Sequence, residues 1–435
     1  MERTRNAHAL VTASLALALA CVVASRANAQ PVSATAAQGK DCSQDSTGLV
    51  PLNDLGSGSY LDSVGGLYGG GSNQCPYGHA FDGLAIANAI VPRDTMGAVD
   101  KSAGRVVLLS LGGNNANLQF AQFMTRLAAD GSRNPNVLAV NGAAAGYDLL
   151  DAANPQSSYW DTVATRLRLA GCSPAQAQVA WMTFYVEGSL GGFQASTDST
   201  AALLASAIRN ARARLPNLRQ LYLTPGIYAG YANNSGLTEP GSYWTGFAFR
   251  QVILSQVSGA SLNFDPARGA VDAPWIDWGP YLWADGRVPR SDGLTWPCTA
   301  YTGNGNVPSQ SGRAQFADSL VAFMRSGTAS ATWYLARPTL DVGGATGPAA
   351  PRAAVRVTPN PASSVARLSV SGAKGEWTLR VMDLQGRTTR IFAGTGPADV
   401  SWDLRDREGV RVRAGFYWAQ LRTPDGNFSR AVVVR

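Results

Sequence analysis

The strongest constraint in this chain is a rhythm. Between about residues 79 and 327, short apolar runs alternate with stretches of helical spacing. The runs lie at 105–111 (RVVLLSL), 136–140 (NVLAV), 178–185 (QVAWMTFY), 219–224 (RQLYLT) and near 273–278. They are continuous rather than alternating, as strands covered on both faces should be. Between them, Trp160, Val163, Ala164 and Leu167 fall at i, i+3, i+4 and i+7 and share one helix face. Ser158 with Asp161 resembles a capping box there, and Gly171 is a suitable stop. Segments 197–215 and 309–325 have the same character. Short buried strands joined by helices must return parallel, so the spacing predicts an α/β domain with a doubly wound parallel sheet over 76–330.

The flanks read differently. Residues 30–75, rich in Gly, Ser and Asp, form a loop-rich lead-in. At 331–354 Pro and Gly gather and periodicity is lost, which marks a linker. From 355 to 435, alternating stretches such as ARLSV, WTLRVMDL and FYWAQL are separated by turn signals at Gln385-Gly386 and Asp425-Gly426. That pattern predicts a small all-β sandwich.

At the start, Arg3 and Arg5 precede an uncharged run from Ala9 to Ala24, followed by Ala27-Asn28-Ala29. This reads as a secretory signal peptide, 1–29, too short and too Ala-rich for a membrane span. Cleavage after Ala29 removes Arg3, Arg5, Arg26 and Glu2, and takes the formal charge from +7 to +5. It also removes Cys21, leaving Cys42, Cys75, Cys172 and Cys298 in an oxidising compartment. Cys75 and Cys298 belong near the carboxyl edge of the predicted sheet and Cys172 at the opposite edge. Cys75–Cys298 is the expected pair, Cys42–Cys75 the rival, and Cys172 should not join Cys298.

Composition narrows the chemistry. Hydrophobic residues at 45% against 15% charged exclude a disordered, collagen-like or coiled-coil chain. With only His8 and His79, a multi-His metal centre is impossible, and a His base must be His79. There is no C-x-x-C, G-x-S-x-G, P-loop or G-x-G-x-x-G, so neither metal nor cofactor is expected. Residues 355–435 hold 13 basic and 7 acidic side chains. A basic surface of this kind suits anionic glycans. We read it as mainly solvated, with no nucleic-acid partner.

Further stretches follow one another in order: 66–68 (GLY), 140–143 (VNGA), 158–161 (SYWD), 227–231 (IYAGY), 273–275 (APW), 278–286 (WGPYLWADG), 290–296 (RSDGLTW) and 308–313 (PSQSGR). With them, residues 60–327 resemble a bacterial branch of the SGNH/GDSL hydrolases. The resemblance implies a Ser after the first strand, a Gly amide and an Asn for the oxyanion, and an Asp and His three apart before the last helix. Position by position, those places hold Asn114, Gly146, Val186, Asn304 and Val307. An amide cannot be the nucleophile and an isopropyl group cannot accept a proton. The resemblance therefore implies a secreted SGNH-like domain that has lost ester hydrolysis and binds a ligand, a glycan or other small molecule. Candidate binding residues are His79, Asn115, Trp278, Trp283 and Asp292. Trp275, Trp278, Tyr281, Trp283 and Trp296 suit either a sugar platform or a packed core, and both readings stand. The alternatives are an active esterase or carbohydrate-ester hydrolase using His79 or an Asp292–Glu187 carboxylate pair, and a surface module with no small ligand.

In the tail, 359–361 (PNP), 381–386 (VMDLQG), 400–403 (VSWD) and 412–418 (VRAGFYW) resemble the immunoglobulin-like domain of flagellar hook-capping proteins and the type A sorting domain of type IX secretion. That implies a secreted or cell-surface protein whose tail meets the cell envelope or the secretion machinery.

Overall fold

The structure, a computed structural model, describes residues 39–43, 45–185, 191–233, 237–336, 353–383, 387–424 and 426–435. The signal peptide, Val186, Glu187, linker residues 337–352 and the turn residues Gln385, Gly386 and Asp425 lie outside them. The chain divides into two compact units, 1–336 and 337–435.

In the first unit, strands β3 (Val106–Gly112), β4 (Val137–Asn141), β5 (Ala177–Thr183), β6 (Gln220–Leu223) and β7 (Trp275–Trp278) form a parallel sheet. Its order is β4-β3-β5-β6-β7. Every residue of β3 and β5 is buried, which accounts for their unbroken apolar runs. The expected helices occur at Ser158–Leu169, Phe193–Arg214 and Gln310–Ser326. Two more, Asn114–Ala128 and Gly241–Val257, were not anticipated. The second is buried on most sides, so it has no polar stripe to reveal its period.

The lead-in is not a separate loop. Leu52 is fully buried and its N–H donates to Tyr281 Oη (3.1 Å). Asp285 accepts from Thr47 N (2.7 Å), Thr47 Oγ1 (2.7 Å) and Gly48 N (2.8 Å). Lys40 Nζ donates to the carbonyls of Cys298 and Tyr301. A short hairpin, β1 (Ser59–Tyr60) with β2 (Ser63–Val64), follows. Both predicted pairings of Cys75 are corrected, because the disulfide is Cys42–Cys298 while Cys75 and Cys172 are free. The strap brings Cys42 to the 298 loop, a contact that strand-edge reasoning could not see. The linker also begins later than predicted: the Ser330–Tyr334 helix buries Trp333 and Tyr334 in this unit.

The described residues of the second unit form seven strands: β8 (Ala354–Thr358), β9 (Ala366–Ser371), β10 (Glu376–Met382), β11 (Thr388–Thr395), β12 (Ala398–Trp402), β13 (Gly415–Thr423) and β14 (Gly426–Val434). They form antiparallel sheets β11-β10-β13-β14 and β12-β9-β8. Alternate residues, among them Leu368, Leu379, Val381, Ala419 and Leu421, share one core.

Candidate functional site

In a parallel sheet of this order, the chain leaves the neighbouring β3 and β5 ends in opposite directions and opens a crevice at the carboxyl edge. A cleft of about 610 Å³ lies there, lined by residues that follow β3, β4 and β5 and by the loop before the last long helix.

The β3 wall depends on a glycine. A Cβ on Gly112 would stand 2.3 Å from Ala116 Cβ and 2.4 Å from Thr183 O, so only glycine lets the strand turn directly into the Asn114–Ala128 helix. Asn114 and Asn115 thus sit in that helix's first turn, where unpaired N–H groups favour negative or electron-rich partners. The opposite wall is the 302–307 loop. Asn304 Oδ1 accepts from Val307 N (3.2 Å) and Thr302 Oγ1 (3.1 Å), and Thr302 N donates to Val307 O (2.8 Å). Gly305 has φ +79°, and a Cβ there would lie 2.1 Å from Tyr231 O. Asn115 Nδ2 donates to Asn306 O (2.9 Å) and ties the walls together.

Asn114, Asn115, Gly146, Asn304 and Val307 therefore line one cleft. Gly146 adopts φ +85°. Asp148, Asp151, Tyr185 and Asn306, which sequence reasoning missed, join them. Asp148 and Asp151 have a visible signal, a D-x-x-D box in which each carboxylate accepts from backbone N–H groups of the other's turn. Asp151 Oδ1 also accepts from Ser157 Oγ (3.1 Å). These carboxylates are held in place as helix caps, and no Lys, Arg or His is among the described lining residues.

Behind the cleft lies an unsatisfied polar cluster. Asn115 Oδ1, both amide atoms of Gln119, Thr183 Oγ1 and Tyr185 Oη are buried with no hydrogen-bond partner among the described residues. Burial raises the Tyr185 phenol, and the nearby Thr183, Asn115 and Gln119 side chains oppose that shift. They are close neighbours whose geometry falls short of hydrogen bonds. Buried groups left this way carry a cost of about 1–3 kcal/mol each.

The other candidates sit elsewhere. His79 is corrected from a candidate base or ligand-binding residue to a buried structural role in the Tyr77–Asn88 helix. Its Nε2–H donates to Ile276 O (2.8 Å), and its ring stacks on Trp275 at 5.0 Å. Gln256 Oε1 accepts from Ile276 N (2.7 Å). The two side chains satisfy the free edge of β7. Trp278 and Trp283 are corrected likewise: both are buried, donating to Leu67 O (2.8 Å) and Glu239 Oε1 (2.8 Å). Trp275 and Trp296 also donate to backbone carbonyls, so the aromatic stretch is core. Asp292 grips Arg290 through both oxygens (2.9 and 2.6 Å), and that guanidinium holds its carboxyl below the usual range. None of these residues lines the cleft. Ser110 is buried and donates to Asn141 Oδ1 (2.7 Å).

No family model matches the chain, and no curated protein matches it. Among solved structures it is similar to a putative acylhydrolase from Bacteroides fragilis at 12% identity, over 57% of this chain and 95% of that one, with a TM-score of 0.32. A GDSL-like lipase from Bacteroides thetaiotaomicron is similar at 11% identity over 58% of this chain and 99% of that one, TM-score 0.26. Dimeric latent PorU from Porphyromonas gingivalis is similar at 22% identity over 18% of this chain and 9% of that one, TM-score 0.16. These TM-scores are too low to bear on function.

Proposed function

We propose that the first unit is an SGNH/GDSL-like domain that no longer cuts acyl bonds and instead holds a neutral, polar ligand, a glycan segment, in the carboxyl-edge cleft. One observation carries this reading: across the cleft from Asn114 stand Asn304 and Val307. An amide, an amide and an isopropyl group occupy the places where the family resemblance requires hydroxyl, carboxylate and imidazole. Acyl transfer needs a nucleophile whose proton is taken by an oriented base. His79, the base of the rival reading, spends its Nε2 on the β7 edge.

The lining fits sugar better than an anion. It offers the side-chain amides of Asn114, Asn115, Asn304 and Asn306, the two capped carboxylates and the Tyr185 ring. Hydroxyl-rich ligands can pair with such groups. Secretion and retention at the cell surface through residues 355–435 complete the proposal, supported by the signal-like N-terminus and the tail resemblance.

Calorimetric titration of the full chain with neutral cello-, xylo- and chito-oligosaccharides tests it. At least one series should bind, and Asn114→Ala should weaken it roughly tenfold, the loss of one good hydrogen bond. Binding to none, or binding indifferent to Asn114→Ala, would overturn the reading.

A further inference from the structure

The outer face of sheet β11-β10-β13-β14 carries a strip that the cleft reading does not use. Strand alternation turns Leu379, Val381, Ala419 and Leu421 inward and leaves Thr378, Arg380, Trp418, Gln420 and Arg422 facing out. The register sets Arg380 opposite Gln420, Thr378 opposite Arg422, and Met382 opposite Trp418. Arg380 thus stands beside the middle of a line running Trp418, Gln420, Arg422. Ile391 lies across from Arg380 on the other side.

Two features set this face apart. Trp418 is 45% exposed and Ile391 41%, large apolar surface beside the two guanidinium groups. Among the described residues, neither Arg380 nor Arg422 has an ion pair, and Glu376, diagonal to Arg422, does not pair with it. The strip ends in a hollow of about 680 Å³ that includes Thr378, Thr395 and Arg422. The outer face of the second sheet offers a built-in comparison. There Arg356 and Arg367 are exposed, with Asp399 nearby and no aromatic residue.

We propose that this strip binds a chain of acidic polysaccharide, one sugar ring lying on Trp418 and carboxylates meeting Arg380 and Arg422. An exposed indole face suits the C–H side of a sugar ring. Each planar guanidinium can take a carboxylate through two parallel N–H bonds. Trp418 and Arg422 are four residues apart, about 14 Å along an extended strand. That span fits a short run of an extended polymer. Single-stranded nucleic acid is less suited, because it is bound by several aromatics stacking successive bases. Here, among the described residues of the face, one exposed indole stands between Met382 and Ala431 on the neighbouring strands, with the amide of Gln420 next along its own. The proposal is independent of the cleft.

Titration of the full chain with an oligogalacturonate at low ionic strength tests it, since exposed charges are screened by salt. Binding is expected, weakened roughly tenfold or more by Trp418→Ala and by the double change Arg380→Glu, Arg422→Glu. Trp418→Phe, which keeps an aromatic face, should retain most of the affinity, and Asn114→Ala should leave it unchanged. The pair Arg356→Glu, Arg367→Glu alters net charge equally on the other sheet and should shift affinity less than about twofold. Equal loss from both charge-reversed pairs would show diffuse attraction and overturn the strip. So would absent binding, or tighter binding of a single-stranded oligonucleotide.

Discussion

At the scale of single residues, Val307 and Glu239 show opposite relations between side chain and place. Val307 sits in an open cleft with no chemistry to offer. Glu239 keeps a titratable group in a half-buried place beside Trp283. Its carboxylate accepts from Ala229 N (2.9 Å), Tyr243 N (3.0 Å) and Trp283 Nε1 (2.8 Å). Burial outweighs those three donors and lifts its pKa to about 7. A group raised in the folded state binds its proton more tightly there than in the unfolded chain. Its stabilising effect is therefore complete below the unfolded value near 4.5 and is lost as pH rises through about 7. The shift corresponds to roughly 3 kcal/mol. Urea unfolding at pH 5 and pH 8 should show this loss in the native protein, and Glu239→Gln should remove most of it while lowering stability at pH 5. An unchanged pH slope in the variant would refute the assignment. Neither residue's setting was fully legible beforehand. Val307 could be placed because its neighbours Pro308 and Ser309 carry a recognisable order. Glu239 carries no local signal, since its cover includes Trp283, which a distant segment delivers.

At the scale of elements, the five parallel strands could be read because each is an apolar run bounded by polar turns. What escaped was whatever depends on contacts between distant segments. His79 looks like a loop residue beside Gly78, yet it closes the exposed edge of β7 together with Gln256. The lead-in has no periodicity because it packs through isolated anchors: Leu52, the Asp285 clasp on Thr47 and Gly48, and the Cys42–Cys298 bridge. That bridge closes a loop with a sequence separation of 256. Cross-links closing long loops restrict the unfolded chain most, with a typical effect of about 2–4 kcal/mol. Cys42→Ser should lower unfolding stability by that order and speed proteolytic cleavage near residues 39–50. A variant that unfolds at the same urea concentration and resists protease equally would show that the other anchors hold the strap unaided.

At the scale of the whole molecule, the change in hydrophobic period near 337–353 is what makes two units legible. Continuous apolar runs before it give a sheet covered on both sides, and strict alternation after it gives sheets with one wet face. The finer boundaries escaped because Trp333 and Tyr334 look like the start of a linker and are instead core. The cleft was partly legible too. Asn114, Gly146, Asn304 and Val307 stand far apart in sequence and line one wall or another of it, whereas Asp148, Asp151 and Tyr185 enter through strand-end geometry. The account rests on a cleft that keeps its frame without acyl chemistry, and acetate release from an acetylated xylo-oligosaccharide measures this directly. The native chain should stay at the uncatalysed background, and the combined change Asn114→Ser, Val186→Asn, Asn304→Asp, Val307→His should raise release above it. Catalytic release by the native chain, abolished by Asn114→Ala, would contradict the account.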